Sequence, residues 1–318
     1  MTAFSPSRLA RRRSGSRLPD RLFRGSSRAL AWALVVSLIG LGAMLLVNGW
    51  GAFATFGPGF VIGTDWDPVK NIYGALPFIV GTLLSSAIAL VIAAPIGLLT
   101  AIFLAELAPR RIAIPLTFTI ELLAAIPSVV FGLWGVFVLS PFLQSTIEAW
   151  AVDTLGWIPI FAGPPFGVGL FAAGVILSIM ILPTIVSIAR EVIGSIPNSQ
   201  REAMYALGAT RWEVVTRAVL PAARSGIAGA IILGFGRALG ETMAVTMVIG
   251  NAQRIPQSLF DQAQTIASQI ATTFNEAQVG IQTSSLIALG LVLLVITLGL
   301  NVAARVLVGR TATGAGGR

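Results

Sequence analysis

The chain has 318 residues, 55% of them hydrophobic and only 11% charged, with a net charge of +8 and neither histidine nor cysteine. Soluble domains carry roughly 25% charged residues, so this balance marks an integral membrane protein. The missing residue types exclude disulfides, Cys/His metal sites, thiol nucleophiles and imidazole-based triads. The one lysine, Lys70 in "TDWDPVK", leaves no G-x-x-x-x-G-K-[ST] phosphate loop, so any ATP that drives this protein is bound by another chain.

Residues 1–28 hold Arg8, Arg11, Arg12, Arg13, Arg17, Arg21, Arg24 and Arg28 among Ser, Gly and Pro, with one acid, Asp20. That composition predicts a disordered basic tail. The apolar run at 29–47 is longer than the roughly 7–15 residues of a signal-peptide core and has no small-x-small cleavage pattern after it, so 29–71 reads as a retained first span with its outer loop. Further apolar segments follow at about 74–107, 112–141, 166–196, 222–250 and 281–309, each near or above the roughly 20 residues that cross a bilayer as a helix. None alternates with period two, which argues against a barrel. The prediction is an all-α polytopic fold of six transmembrane helices, with both termini on one side.

Charge sorts the connections. The tail, Arg110/Arg111, the 190–224 segment and Arg305, Arg310 and Arg318 fall on that same side, while the loops at 50–73, 142–165 and 251–280 keep only Lys70 and Arg254. The positive-inside rule makes the arginine-rich side cytoplasmic, including a short tail at 310–318. The basic residues are spread over loop ends rather than gathered on one face, which excludes nucleic acid as a partner. Pro95, Pro127 and Pro183 fall inside predicted spans, where they serve either as kinks for movement or as tolerated residues.

The longest cytoplasmic connection, about 197–221, has explicit helix punctuation. Ser199 with Glu202 and Thr210 with Glu213 form two capping-box patterns, and Gly208 between them is a helix stop, so two short helices meet at a bend. The first sets Ala203, Met204, Ala206 and Leu207 against Gln200, Arg201 and Glu202, a pattern that suits a partner's groove or a headgroup layer equally. Its spacing, Glu202, Ala203 and Gly208 followed by Leu220 and Pro221, resembles the EAA loop of ATP-binding-cassette importer permeases. Met204 and Ala218 are mild departures from that pattern. "GTLLSSAIALVIAAPIGLLTAIFLAELAP", "ELLAAIPSVVFGLWGV" and "GRALGETMAVTMVIGN" are similar to the C-type subunits of phosphate-specific transport permeases, over roughly 72–309.

The resemblance implies a type I (MetI-like) importer permease, a non-catalytic subunit that moves inorganic phosphate across a bacterial plasma membrane. It implies a homologous second permease, two copies of an ATPase that bind ATP and Mg, and a periplasmic or lipid-anchored phosphate-binding protein. No cofactor is expected on this chain, and Glu202, Ala203, Gly208, Leu220 and Pro221 are implied to couple to the ATPase. An importer of sulfate or molybdate would share the loop without "GRALGETM", whereas a gradient-driven transporter would leave the loop unexplained.

"GFGRALGETMAV" places Arg237 one helical turn before Glu241. Fifteen residues into a helix starting near Ala222, Arg237 lies roughly 22 Å along the axis, at or just past the midplane. An arginine there costs about 2.5–3.5 kcal/mol. The i, i+4 spacing lets the two charges pair, yet such a bridge is a poor stabiliser, which leaves a substrate path and a structural bridge as the two readings. A guanidinium stays protonated and offers a donor fork that matches an oxyanion, with Glu241 balancing it while the path is empty. Gly226, Ala230, Gly234, Ala238 and Thr242 form a stripe of small residues for close helix packing. Glu121, near the cytoplasmic end of the third segment, pairs with an arginine at a gate or on another subunit, or it snorkels.

Overall fold

The computed structural model describes residues 17–313, and six of its helices are long and apolar enough to cross a membrane. They are spans one to six: Leu22–Phe56, Leu76–Leu107, Ser128–Leu155, Leu170–Gly194, Arg211–Gly240 and Ile281–Val306. The chain divides into two compact units, Met1–Val47 and Asn48–Arg318.

In the first unit, the helix that carries span one starts at Arg17, inside the segment 1–28 read above as a disordered tail. Arg and Leu are good helix formers, and extending a helix already nucleated by an apolar span adds one hydrogen bond for each residue ordered. Residues 1–16 lie outside the described residues. At the other end the last helix, Ile281–Thr313, runs into the segment 310–318 read as a tail, of which 314–318 are again outside the described residues.

The second unit differs most from the sequence reading at span three. The apolar stretch 112–141 is two elements: a connector helix, Arg110–Ala125, with no buried residue, and a span that starts only at Ser128. Pro127 is the cause. A proline pushes the residue before it out of the α region, and Ile126 is extended with ψ 129°. Pro95 and Pro183, by contrast, sit inside continuous helices. The shift carries span three through Glu148, which was read as part of an outer loop. Glu148 is 1% exposed, and one carboxylate oxygen accepts the Gly167 N–H at 2.8 Å, fastening the loop that enters span four.

Spans two and four make the most extensive helix contact, and span five packs next against span four. Close approach depends on glycine: a Cβ on Gly174 of span four would lie 2.4 Å from Ile88 of span two. The small-residue stripe of span five also turns inward, with Ala230, Gly234 and Ala238 buried and Gly234 set against Ile185 and Ile181 of span four. That stripe therefore packs within the chain's own bundle.

Three apolar clusters follow one another along the spans. One end, the crown, gathers Phe60, Trp66, Tyr73, Phe78, Ile266 and Leu289. A two-stranded antiparallel hairpin, Trp66–Asp67 with Ile72–Tyr73, caps it. The middle cluster joins spans two, three and four to a short return helix, Met243–Val248. At the opposite end, the foot, the ends of spans two and four meet the start of span five around Leu104, Ile193, Val215 and Val219.

Candidate functional site

The sequence segment around Arg237 folds differently from a continuous helix. Span five ends at Gly240, Glu241 is extended (φ −69°, ψ 129°), and the chain turns into the return helix at Met243. Arg237 and Glu241 therefore do not share a helical face, and no ion pair joins them among the described residues. The i, i+4 pairing is corrected by this break, since helical spacing has no meaning across an extended residue. Glu241 is half-buried and its Oε1 accepts the Ala244 N–H at 3.4 Å, at the start of the return helix.

Arg237 is exposed on the surface of the single chain. Among the described residues its one hydrogen bond runs from Nη1 to Thr184 Oγ1 at 3.2 Å. Thr184 lies ten residues before Gly194 in a span of 25 residues, about 15 Å from that end, so the guanidinium sits at the level of the middle of span four. A guanidinium has five N–H donors, and one hydroxyl uses a single one. Irregular backbone at the depth of a span survives only where protein or a watery cavity surrounds it. The Glu241–Thr242 break is such a place. Thr242 Oγ1 donates to the Gly240 carbonyl at 3.3 Å, Thr246 Oγ1 to Thr242 at 2.7 Å, and Asn251 Nδ2 to Thr246 at 2.8 Å. The Gly240 and Thr246 carbonyls thus accept side-chain donors, whereas the Thr242 carbonyl also accepts the Thr246 N–H at 2.9 Å within the return helix.

The loop read at 197–221 holds one short helix, Asn198–Ala206, followed by a bend; the second short helix expected there is corrected, because the chain from Arg211 is already the foot end of span five, Arg211–Gly240. Thr210 and Glu213 make the reciprocal capping box, and Gly208 takes φ +80°, a left-handed turn that favours glycine. The other capping box is absent. The short helix, the foot helix Asn198–Ala206, has Pro197 as its N-cap, so Ser199 is already inside the first turn and its hydroxyl is not at the capping position. Met204 packs into the foot cluster, whereas Glu202, Ala203, Gly208 and Pro221 are exposed and Leu220 is half-buried against that cluster. Leu207 and Trp212, on either side of the bend, are 83% and 67% exposed. Glu121 is exposed on the connector helix, outside any span, with no ion pair among the described residues.

Two residues that sequence reasoning left out are joined at the foot. Arg201 Nη2 meets Glu106 Oε1 at 2.6 Å, and its Nε lies 3.2 and 3.3 Å from the two carboxylate oxygens. Both side chains are nearly buried, at 15% and 11% exposure. No local pattern could reveal a pair separated by 95 positions. The only signal was an acid at the end of an otherwise apolar run.

A family profile described as "Binding-protein-dependent transport system inner membrane component" matches residues 93–313. A phosphate transport system permease protein PstC from Mesorhizobium japonicum is 49% identical over 284 residues, covering 88% of this chain and 87% of that protein. The PstC of Haemophilus influenzae is 45% identical, covering 91% and 93%, and PstC 2 of Mycobacterium tuberculosis is 40% identical, covering 94% of each. Among solved structures, a bacterial alginate ABC transporter in complex with an alginate-bound periplasmic protein aligns with TM-score 0.57 at 19% identity, covering 92% of this chain and 98% of that one. An inward-facing MetNI methionine ABC transporter aligns with TM-score 0.54 at 16% identity, covering 77% and 99%. At these identities the structures speak to the fold, which is that of an importer permease.

Proposed function

The chain belongs to the family of binding-protein-dependent transport system inner membrane components, and from that premise we propose that it is a permease subunit of an ATP-driven importer of inorganic phosphate. The observation that carries the reading is Arg237, a guanidinium level with the middle of span four that is exposed and hydrogen-bonded to a single hydroxyl. A charge so placed costs energy in lipid and is retained where it meets an aqueous path or a partner. Its planar donor fork matches phosphate oxygens in pairs and never loses its proton. Relatives named for phosphate transport, 40–49% identical over most of the chain, support phosphate over other oxyanions.

The path is completed by a homologous second permease, which covers the exposed face that carries Arg237. Glu241, at the break below Gly240, balances the guanidinium when no anion is present and swings aside when one arrives. The foot helix docks into an ATPase that binds ATP and Mg, one copy per permease. Leu207 and Trp212 supply apolar anchors, and Glu202 and Ala203 lie on the docking face. Gly208 sets the bend, while Leu220 and Pro221 lie within the foot end of span five, Leu220 against the foot cluster. The chain itself contributes no catalytic group, and a phosphate-binding protein delivers substrate at the crown. The arginine-rich ends support, by the positive-inside rule, a plasma-membrane protein with the foot and both termini in the cytoplasm.

Labelled-phosphate uptake in cells whose sole phosphate importer contains this chain tests the reading. Arg237→Gln, assembled with its ATPase, is expected to abolish uptake. Uptake at the parental rate would make Arg237 structural, and a parent that imports sulfate or molybdate instead would overturn the substrate.

A further inference from the structure

The Arg201–Glu106 pair is more than a surface bridge. Besides Glu106, Arg201 donates Nη2 to the Ile193 carbonyl at 3.1 Å and Nη1 to the Ile196 carbonyl and to Asn198 Oδ1 at 3.3 Å. One side chain thus joins the foot helix, the last turn of span four and the end of span two. Asp67–Lys70 and Glu213–Arg217 are pairs three and four positions apart, and Arg254–Asp261 lies within one loop. Glu106 also sits in an unusual backbone. Span two closes with a π-helical turn, Phe103–Leu107, in which the Ala108 N–H reaches the Phe103 carbonyl at 2.7 Å. A wider turn rotates every later side chain relative to α-helical register, so it sets the direction of Glu106. The turn ends at Ala108, where the chain leaves for the connector helix.

Spans two and four already behave as one body, because their extensive contact is locked by close glycine approaches. Apart from the apolar contact of Met204 with the foot cluster, the foot helix is joined to that body through the short link Ser195–Ile196–Pro197. Apolar contact is non-directional, so without a directional attachment a force on the foot helix would be absorbed by rotation in this link. We propose that Arg201 and Glu106 are positioning residues that clamp the foot helix to spans two and four, so that displacement of the foot by the ATPase becomes tilt of both spans. The clamp rests on the reading of the foot helix as the ATPase docking element. It stays closed throughout the cycle, which suits a nearly buried pair whose separation would leave an uncompensated charge.

The test compares uptake with ATP hydrolysis per assembled complex in proteoliposomes. Glu106→Gln is expected to keep the hydrolysis rate within about twofold of the parent while phosphate uptake falls at least about tenfold, so that the ATP used per phosphate rises at least about fivefold. A structural defect alone would lower both rates together. The chain has no cysteine, so Glu106→Cys with Arg201→Cys can be bridged selectively by a short bifunctional thiol reagent in a complex whose other subunits lack reactive cysteines. Unbridged, this double variant should uncouple like Glu106→Gln; bridged, it should recover uptake to within about threefold of the parent. Parental uptake without the bridge, or a bridge that blocks uptake, overturns the clamp. If Glu106→Gln does not assemble, the bridged pair decides alone, and failure of both to assemble assigns the pair to folding and overturns the proposal. A parent complex that hydrolyses ATP but takes up no phosphate would refute the functional reading, a separate result from uptake that survives Glu106→Gln.

Discussion

Arg201 and Arg237 are the same residue type in two opposite situations. At the foot, Arg201 is nearly buried and its guanidinium reaches a carboxylate, two backbone carbonyls and an amide oxygen, all within its own chain. Along span five, Arg237 is exposed and uses one donor on the Thr184 hydroxyl. A guanidinium whose donors are filled internally belongs to the machine's frame. One left with open donors at the depth of a span is directed at something outside the chain. Stability and transport should therefore separate between the two sites, and that separation can be attacked directly.

The largest effect is expected at the foot. Arg201→Met leaves Glu106 nearly buried and unpaired, which should destabilise the protein by about 3–5 kcal/mol, read by thermal unfolding in detergent. Arg237→Met should change stability by about 0.5 kcal/mol or less. Equal losses at the two sites would erase the distinction. Next in size, Arg237→Gln should lower phosphate uptake about a hundredfold, the scale of losing a positioned charged donor, while the complex assembles normally. Uptake kinetics normalised to assembled complex check this.

A smaller effect sharpens the claim that the foot is stiff. A Cβ on Gly226 would lie 2.4 Å from Val192 near the end of span four, so Gly226→Leu should cost about 1–3 kcal/mol by overpacking. Gly229, with nothing within 4 Å, should instead tolerate alanine and gain about 0.5–1 kcal/mol in the same unfolding assay. The smallest effect belongs to a solvated pair. A hydrogen bond from the Lys70 side chain, with the Lys70 and Val69 amides, holds the half-buried Asp67 carboxyl below its ordinary range. A depressed carboxylate contributes order above its unfolded value and loses it as pH falls through the folded one. Protection of the Val69 and Lys70 amides, taken relative to the intrinsic exchange rate at each pH, should fall on acidification below the ordinary carboxylate range, and Asp67→Asn should remove that dependence.

Much of the foot was legible because its signals are local. Thr210 and Glu213 are three residues apart, Gly208 needs only its own φ, and both behave as the sequence implies. The small-residue stripe through Gly234 was equally plain, although its partner in span four was not. Ser199 misled because Pro197, two positions earlier, takes the cap itself. Pro127 was read as lying inside a span, either as a kink or as a tolerated residue, yet it ends one helix and begins another, and Glu148 moved from a loop into a span as a result. Hydropathy cannot distinguish a kinked helix from two helices when both halves are apolar.

By itself the sequence determined the membrane class, the six apolar spans, the arginine-rich ends and the bend at Gly208 between spans four and five. Each depends on composition or on neighbours a few residues apart, where side-chain chemistry and backbone preference act directly. Tertiary structure decided where span five stops, that Arg237 bonds Thr184 rather than Glu241, and that Arg201 reaches Glu106 across 95 positions. Those outcomes depend on which helices pack together and on which buried charges find partners once water is excluded, and such choices are made only when distant segments meet.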